Sequence, residues 1–491
     1  MYLQESLEKL KQQVQLIIYD RHLNPPPADY VQQIGEIKRF LEKFTGDDIF
    51  REEFFQNPQK AVENYDLKVD PEELRLLWDF EAATIHDPAI DPIPLPVLRY
   101  RSFIREKKHH RSQSQKVLCA SNDPRFKAWR DRQVQRCNSQ LGKANGEAIV
   151  HAPVSLELSK GCSVGCWFCG VAAPTLSDIF FYTLDNAQLW EETLTVLKDV
   201  IGPAARHGFC YWASDPLDNP DYEKFLVDFH RILERFPQTT TAQPLKDPQR
   251  TRNLIKLAEE KGSFIDRFSL ISLKLLREVH EEFTPEELTY IELITQNKEA
   301  YKGGKHISGR AREYYRKKAE KKGEEYPNDA VSGTIACVSG FLFNMVDRSV
   351  KLISPCNASD RWPLGYYVFQ EGTFQDGESL RALLMDMISN HMTTTVRHMD
   401  KIALRRDLQY EETEDGFRLK SAFVYHNFHN PPAVTKEMVQ LILSGDKTAG
   451  DIALILEKHH DNPFEATFFN LNTFLQAGLL DEEPEPPVTQ T

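Results

Sequence analysis

The stretch Cys162-Ser163-Val164-Gly165-Cys166-Trp167-Phe168-Cys169, delivered by the apolar segment Val154-Ser155-Leu156-Glu157-Leu158, decides how the rest of the chain is read. Its C-x3-C-x2-C spacing lets three thiolates face one site from a single loop, and soft sulfur ligands select zinc or an iron–sulfur cluster over harder metals. A closed structural zinc site takes four ligands, usually as two paired units. No second pair exists here, because Cys119, Cys137, Cys210, Cys337 and Cys356 stand alone. Three ligands with an open fourth corner is the simpler reading, and structural zinc or a disulfide-linked loop are the alternatives. The open iron of a [4Fe–4S] cluster is a place where a small molecule binds and receives an electron.

Length and composition bound the rest. A chain of 491 residues has room for several domains at about 150 residues each. Its 41% hydrophobic and 27% charged content is that of a soluble globular protein. A formal charge of −13 argues against a generic nucleic-acid binder. The start, Met1-Tyr2-Leu3-Gln4-Glu5-Ser6, lacks a basic segment followed by an apolar one, and no apolar run reaches the roughly 18 residues of a membrane span. These features point to the cytoplasm, without a membrane or nucleic-acid partner. Eight scattered cysteines, three of them clustered, fit a reducing compartment and a metal site better than a disulfide framework.

A C-x3-C-x2-C run with an aromatic, Phe168, before its last cysteine resembles the signature of radical S-adenosylmethionine (radical SAM) enzymes. The resemblance implies that Cys162, Cys166 and Cys169 hold one [4Fe–4S] cluster and that its open iron chelates SAM. Reductive cleavage of SAM then gives a 5′-deoxyadenosyl radical that abstracts hydrogen from substrate. It further implies an α/β fold with a partial (β/α)6-type barrel.

Residues 1–95 read as a helical accessory region, with apolar recurrences of three and four from Leu7, Leu10 and Val14 through Ile34, Ile37, Phe40, Leu41 and Phe44. Asp70-Pro71-Glu72-Glu73 predicts a helix start. The segment Phe50 to Pro58 with Tyr65-Asp66-Leu67 is similar to leader regions of nitrile-hydratase-like ribosomal peptide precursors; an ordinary helical domain is the alternative. Pro92, Pro94 and Pro96 mark a linker, and residues 96–149 carry a basic stretch from Arg99 to Arg111 that reads as a solvated face or as a contact for an acidic peptide.

From 150 to 375, short apolar runs alternate with amphipathic helices, which predicts βα units and a mostly parallel sheet. A helix through Trp190, Leu194 and Leu197 leads to the strand-like Gly208-Phe209-Cys210-Tyr211-Trp212 and then to Ser214-Asp215-Pro216. That turn resembles in position the glycine-rich turn with which radical SAM enzymes bind the SAM amino group, though it lacks the glycines. By the same resemblance Ser269 or Ser272 and Arg277 hold the SAM carboxylate or ribose, with a structural serine or a surface arginine as the alternative for each, and Phe168 belongs to the SAM site. The basic run from Lys302 to Lys321, with Gly303-Gly304 near its start, reads as a solvated helix or as a hinged lid. Cys356 follows an apolar strand and a proline, at a strand end where a site belongs, whereas Cys337 sits in a small-residue run that looks like packing.

Residues 376–404 read as a helical connection. Residues 405–483 read as a hairpin around Asp415-Gly416 followed by three helices, Lys436 to Leu443, Ala449 to Lys458 and Pro463 to Gln476, with Thr448 and Asp451 as a cap. This end resembles the winged-helix leader-recognition elements of ribosomal-peptide modification enzymes. A DNA-binding winged helix would need a basic recognition helix, which Asp451 to Glu457 is not. The tail, Glu482 onward and above all 484–491, is expected to be disordered.

Taken together, the single cluster motif, Ser354-Pro355-Cys356-Asn357, the Ser214 to Pro220 segment and the peptide-binding-like end resemble the radical SAM peptide epimerases of proteusin-type pathways. The resemblance implies abstraction of a Cα hydrogen from an L-residue of a ribosomal precursor peptide. Return of hydrogen from a cysteine thiol, Cys356 with Cys337 as second choice, then gives the D-residue. It also implies an electron donor such as flavodoxin or ferredoxin. Other radical SAM peptide modifications (C-methylation, thioether or side-chain cross-link) and a non-enzymatic peptide-binding protein with a structural metal are the competing readings.

Overall fold

A computed structural model describes residues 26–88, 90–113, 121–263, 266–301, 307–326 and 333–486. The expectations about Leu7, Leu10 and Val14, about Gly303-Gly304 and about the end of the tail lie outside these residues.

The chain is a mixed α/β protein. In order, helices α1 (Ala28–Gly46), α2 (Asp48–Gln56), α3 (Pro58–Asn64), α4 (Leu95–Gln113) and α5 (Pro124–Leu141) precede the strands β1 (Ala152–Glu157), β2 (Ser159–Lys160) and β3 (Asp178–Ile179). Next come α6 (Leu184–Ile201), α7 (Tyr222–Leu233), β4 (Thr240–Thr241), α8 (Pro248–Glu260), β5 (Asp266–Leu270), α9 (Leu273–Glu282), β6 (Ile291–Thr295) and α10 (Gly309–Lys322). Strands β7 (Val338–Asn344), β8 (Ser349–Pro355) and β9 (Tyr366–Thr373) lead to α11 (Gly377–His391). The last elements are β10 (Gln409–Thr413), β11 (Gly416–Lys420), β12 (Tyr425–His429), α12 (Ala433–Ser444), α13 (Ala449–His460) and α14 (Phe464–Gln476). The chain folds into two compact units, one from 1–117 and 215–305, the other from 118–214 and 306–491.

In the first unit, side-chain caps punctuate the helices. Asp47, Asn57 and Asp79 accept from the backbone N–H of Phe50, Lys60 and Ala82, satisfying donors that a helix start leaves orphaned. Tyr30, Ile34, Ile37, Phe40 and Phe44 are the buried stripe of α1. Phe54 meets Phe40 and Trp78 with ring centroids 5.3 and 4.9 Å apart, offset geometries that suit the ring quadrupole. At Asp70 the capping contact forms, Oδ1 accepting from Glu72 N at 2.9 Å, but the chain makes turns and only a short helix, Arg75–Trp78, before Asp79 starts another. The parallel sheet β4-β5-β6 completes this unit, with Phe268, Leu270, Leu276, Val279 and Ile291 as its core.

The second unit holds the sheet β1-β7-β8-β9. Strand β1 is buried along its whole length and pairs parallel with β7. The expected parallel order ends there, because β7, β8 and β9 are antiparallel neighbours. Only residues 345–348 join β7 to β8, too few for the dozen-residue crossover that a parallel pair needs. Helix α5 covers this sheet, Phe126 meeting Phe341 at 5.6 Å and Trp129 meeting Phe369 at 5.3 Å. Among the described residues the strand-like Gly208 to Trp212 forms no named strand and makes an isolated parallel bridge, Phe209 with Ser155.

Residues 409–480 of this unit form the meander β10-β11-β12 with α12–α14. Phe417, Leu419, Val439, Ile442, Ile452, Leu471 and Leu475 share one core. The hairpin turns at Glu414-Asp415, and Thr448 and Asp451 form a reciprocal capping box on α13. The acidic tail departs from expectation at its start. Glu482 accepts from Arg132 Nε and Nη2 at 2.9 and 2.6 Å, and Glu483 accepts from Trp362 Nε1 at 2.8 Å and Arg361 Nε at 2.9 Å. Disorder is read from net charge, but here each carboxylate meets a guanidinium or indole donor that fixes it.

Candidate functional site

The second unit carries the cysteine loop and Cys356. The loop is staked at its base by β2 and β3, and Cys162 and Thr175 form a parallel bridge. Cys166 O accepts from Cys169 N at 3.3 Å, closing a tight turn, and Cys169 Sγ accepts from Ala173 N at 3.3 Å. Backbone N–H groups aimed at a sulfur stabilise a thiolate ligand and tune what it binds. All three thiols are partly exposed and free of disulfides. Gly165, at φ +65°, lets the chain turn between the first two cysteines.

The start of α10 grips this loop. Arg310 N donates to Cys169 O at 2.9 Å, its Nη1 to Cys166 O at 3.1 Å, and its Nη2 to Ala173 O. Gly309, at φ +54°, packs so closely that a Cβ would stand 2.4 Å from Gly170 O and 2.6 Å from Cys169 O. Trp167 meets Tyr314 of the same helix at 4.8 Å and Phe168 edge-on at 5.4 Å. The sequence reading missed Arg310 because it stood in a run of like charges; the signal available was its place just after Ser308-Gly309, at a helix start. Within the described part of the basic run, Arg312 is buried and pairs with Asp360 at 2.9 Å, so the solvated face is not uniform.

From Gly309 a short path leads to Cys356. Gly309 N donates to Pro363 O at 2.8 Å, Trp362 packs against Cys356, and Cys356 N donates to Gly365 O at 2.9 Å. Gly170 also abuts Ile335, and Thr334 Oγ1 donates to Gly365 O at 2.7 Å, so the loop tip, residues 333–336 and residues 356–365 are one neighbourhood. Cys356 does follow an apolar strand, but β8 runs against β7, so its carboxyl end lies at the amino ends of β1 and β7 rather than beside Glu157. Cys356 is 2% exposed, and burial raises its pKa well above that of an ordinary thiol. Cys337 stands just before β7, half-buried against the cluster of Ala152, Phe209 and Val338 and against that of Cys137, Leu141 and Ile149, and its carbonyl accepts from Ala152 N at 2.8 Å. At the other end of β1, burial lifts the Glu157 carboxyl to about 7, although it accepts from Ala213 N at 2.7 Å.

Whether a metal group fits rests on this donor set. Among the described residues, no three His, Cys, Asp or Glu side chains stand close enough to hold a single ion. A tetrahedral zinc, at about 2.3 Å from each sulfur, needs that convergence. Three partly exposed thiols on one loop are soft donors of the kind that zinc and iron–sulfur clusters both take.

No family model matches the chain. Over 428 residues, 86% of this chain and 82% of the relative, it is 39% identical to "Uncharacterized protein y4wI" of Sinorhizobium fredii (strain NBRC 101917 / NGR234). The chain belongs to the family of y4wI. Among solved structures, "BtrN in complex with AdoMet and 2-DOIA" aligns with 29% of this chain at 14% identity and a TM-score of 0.23. The chain spans 55% of that structure's length.

For this member of the y4wI family, the expected SAM-binding residues other than Phe168 are distributed over both units. Ser214 is the last residue of its segment in the second unit, and Asp215, Pro216, Ser269, Ser272 and Arg277 belong to the first. There the Asp215 carboxylate accepts from Thr241 Oγ1 at 2.8 Å, Ala242 N at 2.7 Å and Leu217 N at 3.0 Å, and Pro216 is buried beside it. Ser272 caps α9 by accepting from Leu275 N at 3.1 Å. Ser269 lies within β5 opposite Ile294. Arg277 donates to both oxygens of the buried Asp47, from Nε at 3.1 Å and Nη2 at 3.2 Å, and ties α9 to the start of α2.

Proposed function

We propose that the chain is a radical SAM epimerase that converts L-residues to D-residues in a ribosomally made precursor peptide. The observation that carries the reading is a buried thiol, Cys356, in the same neighbourhood as a loop bearing three partly exposed thiols. Cys162, Cys166 and Cys169 would hold a [4Fe–4S] cluster, and Phe168 and Ser214, of the same unit, would line the SAM beside it. When bound, the cluster and SAM supply a 5′-deoxyadenosyl radical that takes a Cα hydrogen from the peptide.

Cys356 then returns a hydrogen atom to the opposite face: its S–H bond breaks and a Cα–H bond forms. Such a donor must carry its hydrogen. Burial is the main force keeping the thiol protonated, with Cys137 and Glu483 acting the same way and Arg136 opposing. Arg310 holds the loop backbone at Cys166 and Cys169, so the thiols keep their spacing. The partial barrel, the winged-helix-like end and a cytoplasmic setting with a flavodoxin or ferredoxin donor belong to the same reading. Strands β10 and β12 are the edges of their sheet, and an extended leader peptide adds to such an edge.

The test is mass spectrometry with chiral amino-acid analysis of a precursor peptide modified anaerobically in heavy water. A gain of one deuterium per D-residue, abolished in Cys356→Ala while 5′-deoxyadenosine still forms, is the expected result. A methyl-sized gain, or loss of two hydrogens, assigns a different modification and removes the role of Cys356.

A further inference from the structure

The acidic segment Asp481-Glu482-Glu483-Pro484-Glu485-Pro486 belongs to no helix or strand. Pro484 and Pro486 supply no N–H and disfavour helical backbone at Glu483 and Glu485 before them. Among the described residues, no backbone–backbone hydrogen bond anchors 482–486, so side chains hold the segment to the second unit. The receiving side is built differently. Arg132 of α5, Trp362, and Tyr367 of β9 are buried, and each aims its polar atoms at a carboxylate. Arg132 grips both oxygens of Glu482, from Nε at 2.9 Å and Nη2 at 2.6 Å. Glu483 Oε1 accepts from Trp362 Nε1 at 2.8 Å and Arg361 Nε at 2.9 Å, and its Oε2 accepts from the Tyr367 hydroxyl at 3.3 Å. Glu485 meets Arg361 Nη2 at 3.5 Å. A guanidinium fork, an indole and a phenol converging on consecutive carboxylates are the means of reading acidic side chains in an extended peptide.

We propose that Arg132, Arg361, Trp362 and Tyr367 form a docking site for an acidic peptide segment, and that residues 481–486 occupy it in cis as a stand-in. The occupant shows what the site accepts: two adjacent glutamates, a proline and a third glutamate, held without backbone pairing. An occupant is needed, because a buried indole N–H and a buried guanidinium left without an acceptor cost stability. An intramolecular occupant competes at the effective concentration its tether sets, so a neutral peptide does not displace it and an acidic one does. The place matters for the chemistry as well. Trp362 and Tyr367, with rings 5.1 Å apart, are the other buried members of the cluster that holds Cys356. A peptide seated on their polar atoms therefore docks beside the proposed hydrogen donor. That the acidic segment belongs to the precursor peptide rests on the epimerase reading above; the acidic class of ligand does not.

Fluorescence anisotropy on the full chain tests this with the labelled peptide Asp-Glu-Glu-Pro-Glu-Pro, the segment itself supplied in trans. The triple variant Glu482→Gln/Glu483→Gln/Glu485→Gln weakens the cis occupant and leaves every receiving residue in place. It should bind the peptide saturably, about ten-fold more tightly than the wild type, whose own segment competes. Adding Arg361→Ala should weaken that binding, and the neutral peptide Asn-Gln-Gln-Pro-Gln-Pro should not bind. No saturable binding to the triple variant, equal affinity in variant and wild type, or equal affinity for the neutral peptide overturns the proposal. Glu483→Gln alone, which keeps the Glu482–Arg132 pair, should show the same order of affinities and decides the matter if the triple variant unfolds. The assay needs no cluster, SAM or turnover. Failure of binding leaves the epimerase reading intact, whereas binding without formation of D-residues keeps the acidic-peptide site and removes the precursor peptide as its partner.

Discussion

Two groups of side chains were expected to serve bound groups, one SAM and the other an iron–sulfur cluster, and they differ in what the protein itself does with them. In the first unit Asp215, Ser272 and Arg277 each spend their hydrogen bonds on neighbouring backbone, on Thr241 or on Asp47. In the second, the Cys162, Cys166 and Cys169 thiols are partly exposed, and the hydrogen bonds around them run mainly to the loop backbone. A group already satisfied by its own fold holds structure. A partly exposed thiol on a loop whose backbone is fixed by its neighbours is accessible to a ligand.

The contrast is broken most severely at the loop. Cys169→Ala should abolish 5′-deoxyadenosine formation and lower bound iron, with the secondary structure seen by circular dichroism unchanged. Retained cleavage would erase the distinction. Arg310→Ala should act on the same loop more mildly, lowering iron retention several-fold, since it removes hydrogen bonds and no ligand.

In the other group, Arg277→Ala should cost about 1–2 kcal/mol of stability in denaturant unfolding, because a buried carboxylate loses two charge-assisted bonds but keeps Lys43. Its affinity for SAM should change less than two-fold. A large loss of SAM binding without loss of stability would move Arg277 from the satisfied group to the open one.

Glu157 sharpens the comparison through pH. Its folded pKa, about 7, lies above the ordinary carboxyl value, so the native state holds an extra proton between the two. Stability is fully present below the unfolded value and falls as pH rises toward about 7. Replacing this buried acid by Glu157→Gln should remove that slope, worth up to roughly 3 kcal/mol at 1.36 kcal/mol per unit. Thermal melts of both proteins from pH 5 to 8 check it, and parallel curves would contradict it. The smallest effect belongs to Thr448→Ala, which removes a helix cap and should cost about 1 kcal/mol without touching the thiols.

The sequence made local structure legible where a single residue type has one physical job. Thr448 with Asp451, the hairpin around Asp415-Gly416 and the Trp190, Leu194, Leu197 stripe needed no distant partner to be recognised. What escaped was decided by residues far apart in the chain. The antiparallel turn of β7 into β8 hides in an apolar run that suits either direction, and Glu482 and Glu483 were read as charge without the Arg132 and Arg361 that meet them. At the candidate site the three thiols were legible from spacing. The Arg310 clamp and the pairing of Cys137 with the Cys356 segment, residues at least 137 positions apart from what they touch, were not.

Iron and acid-labile sulfide, measured on the anaerobically reconstituted chain beside Cys162→Ala, Cys166→Ala and Cys169→Ala, test the central claim most directly. About four irons and four sulfides per chain, lost in each variant, with 5′-deoxyadenosine released on reduction with SAM, is the predicted result. One zinc per chain, no sulfide and no SAM cleavage would contradict it.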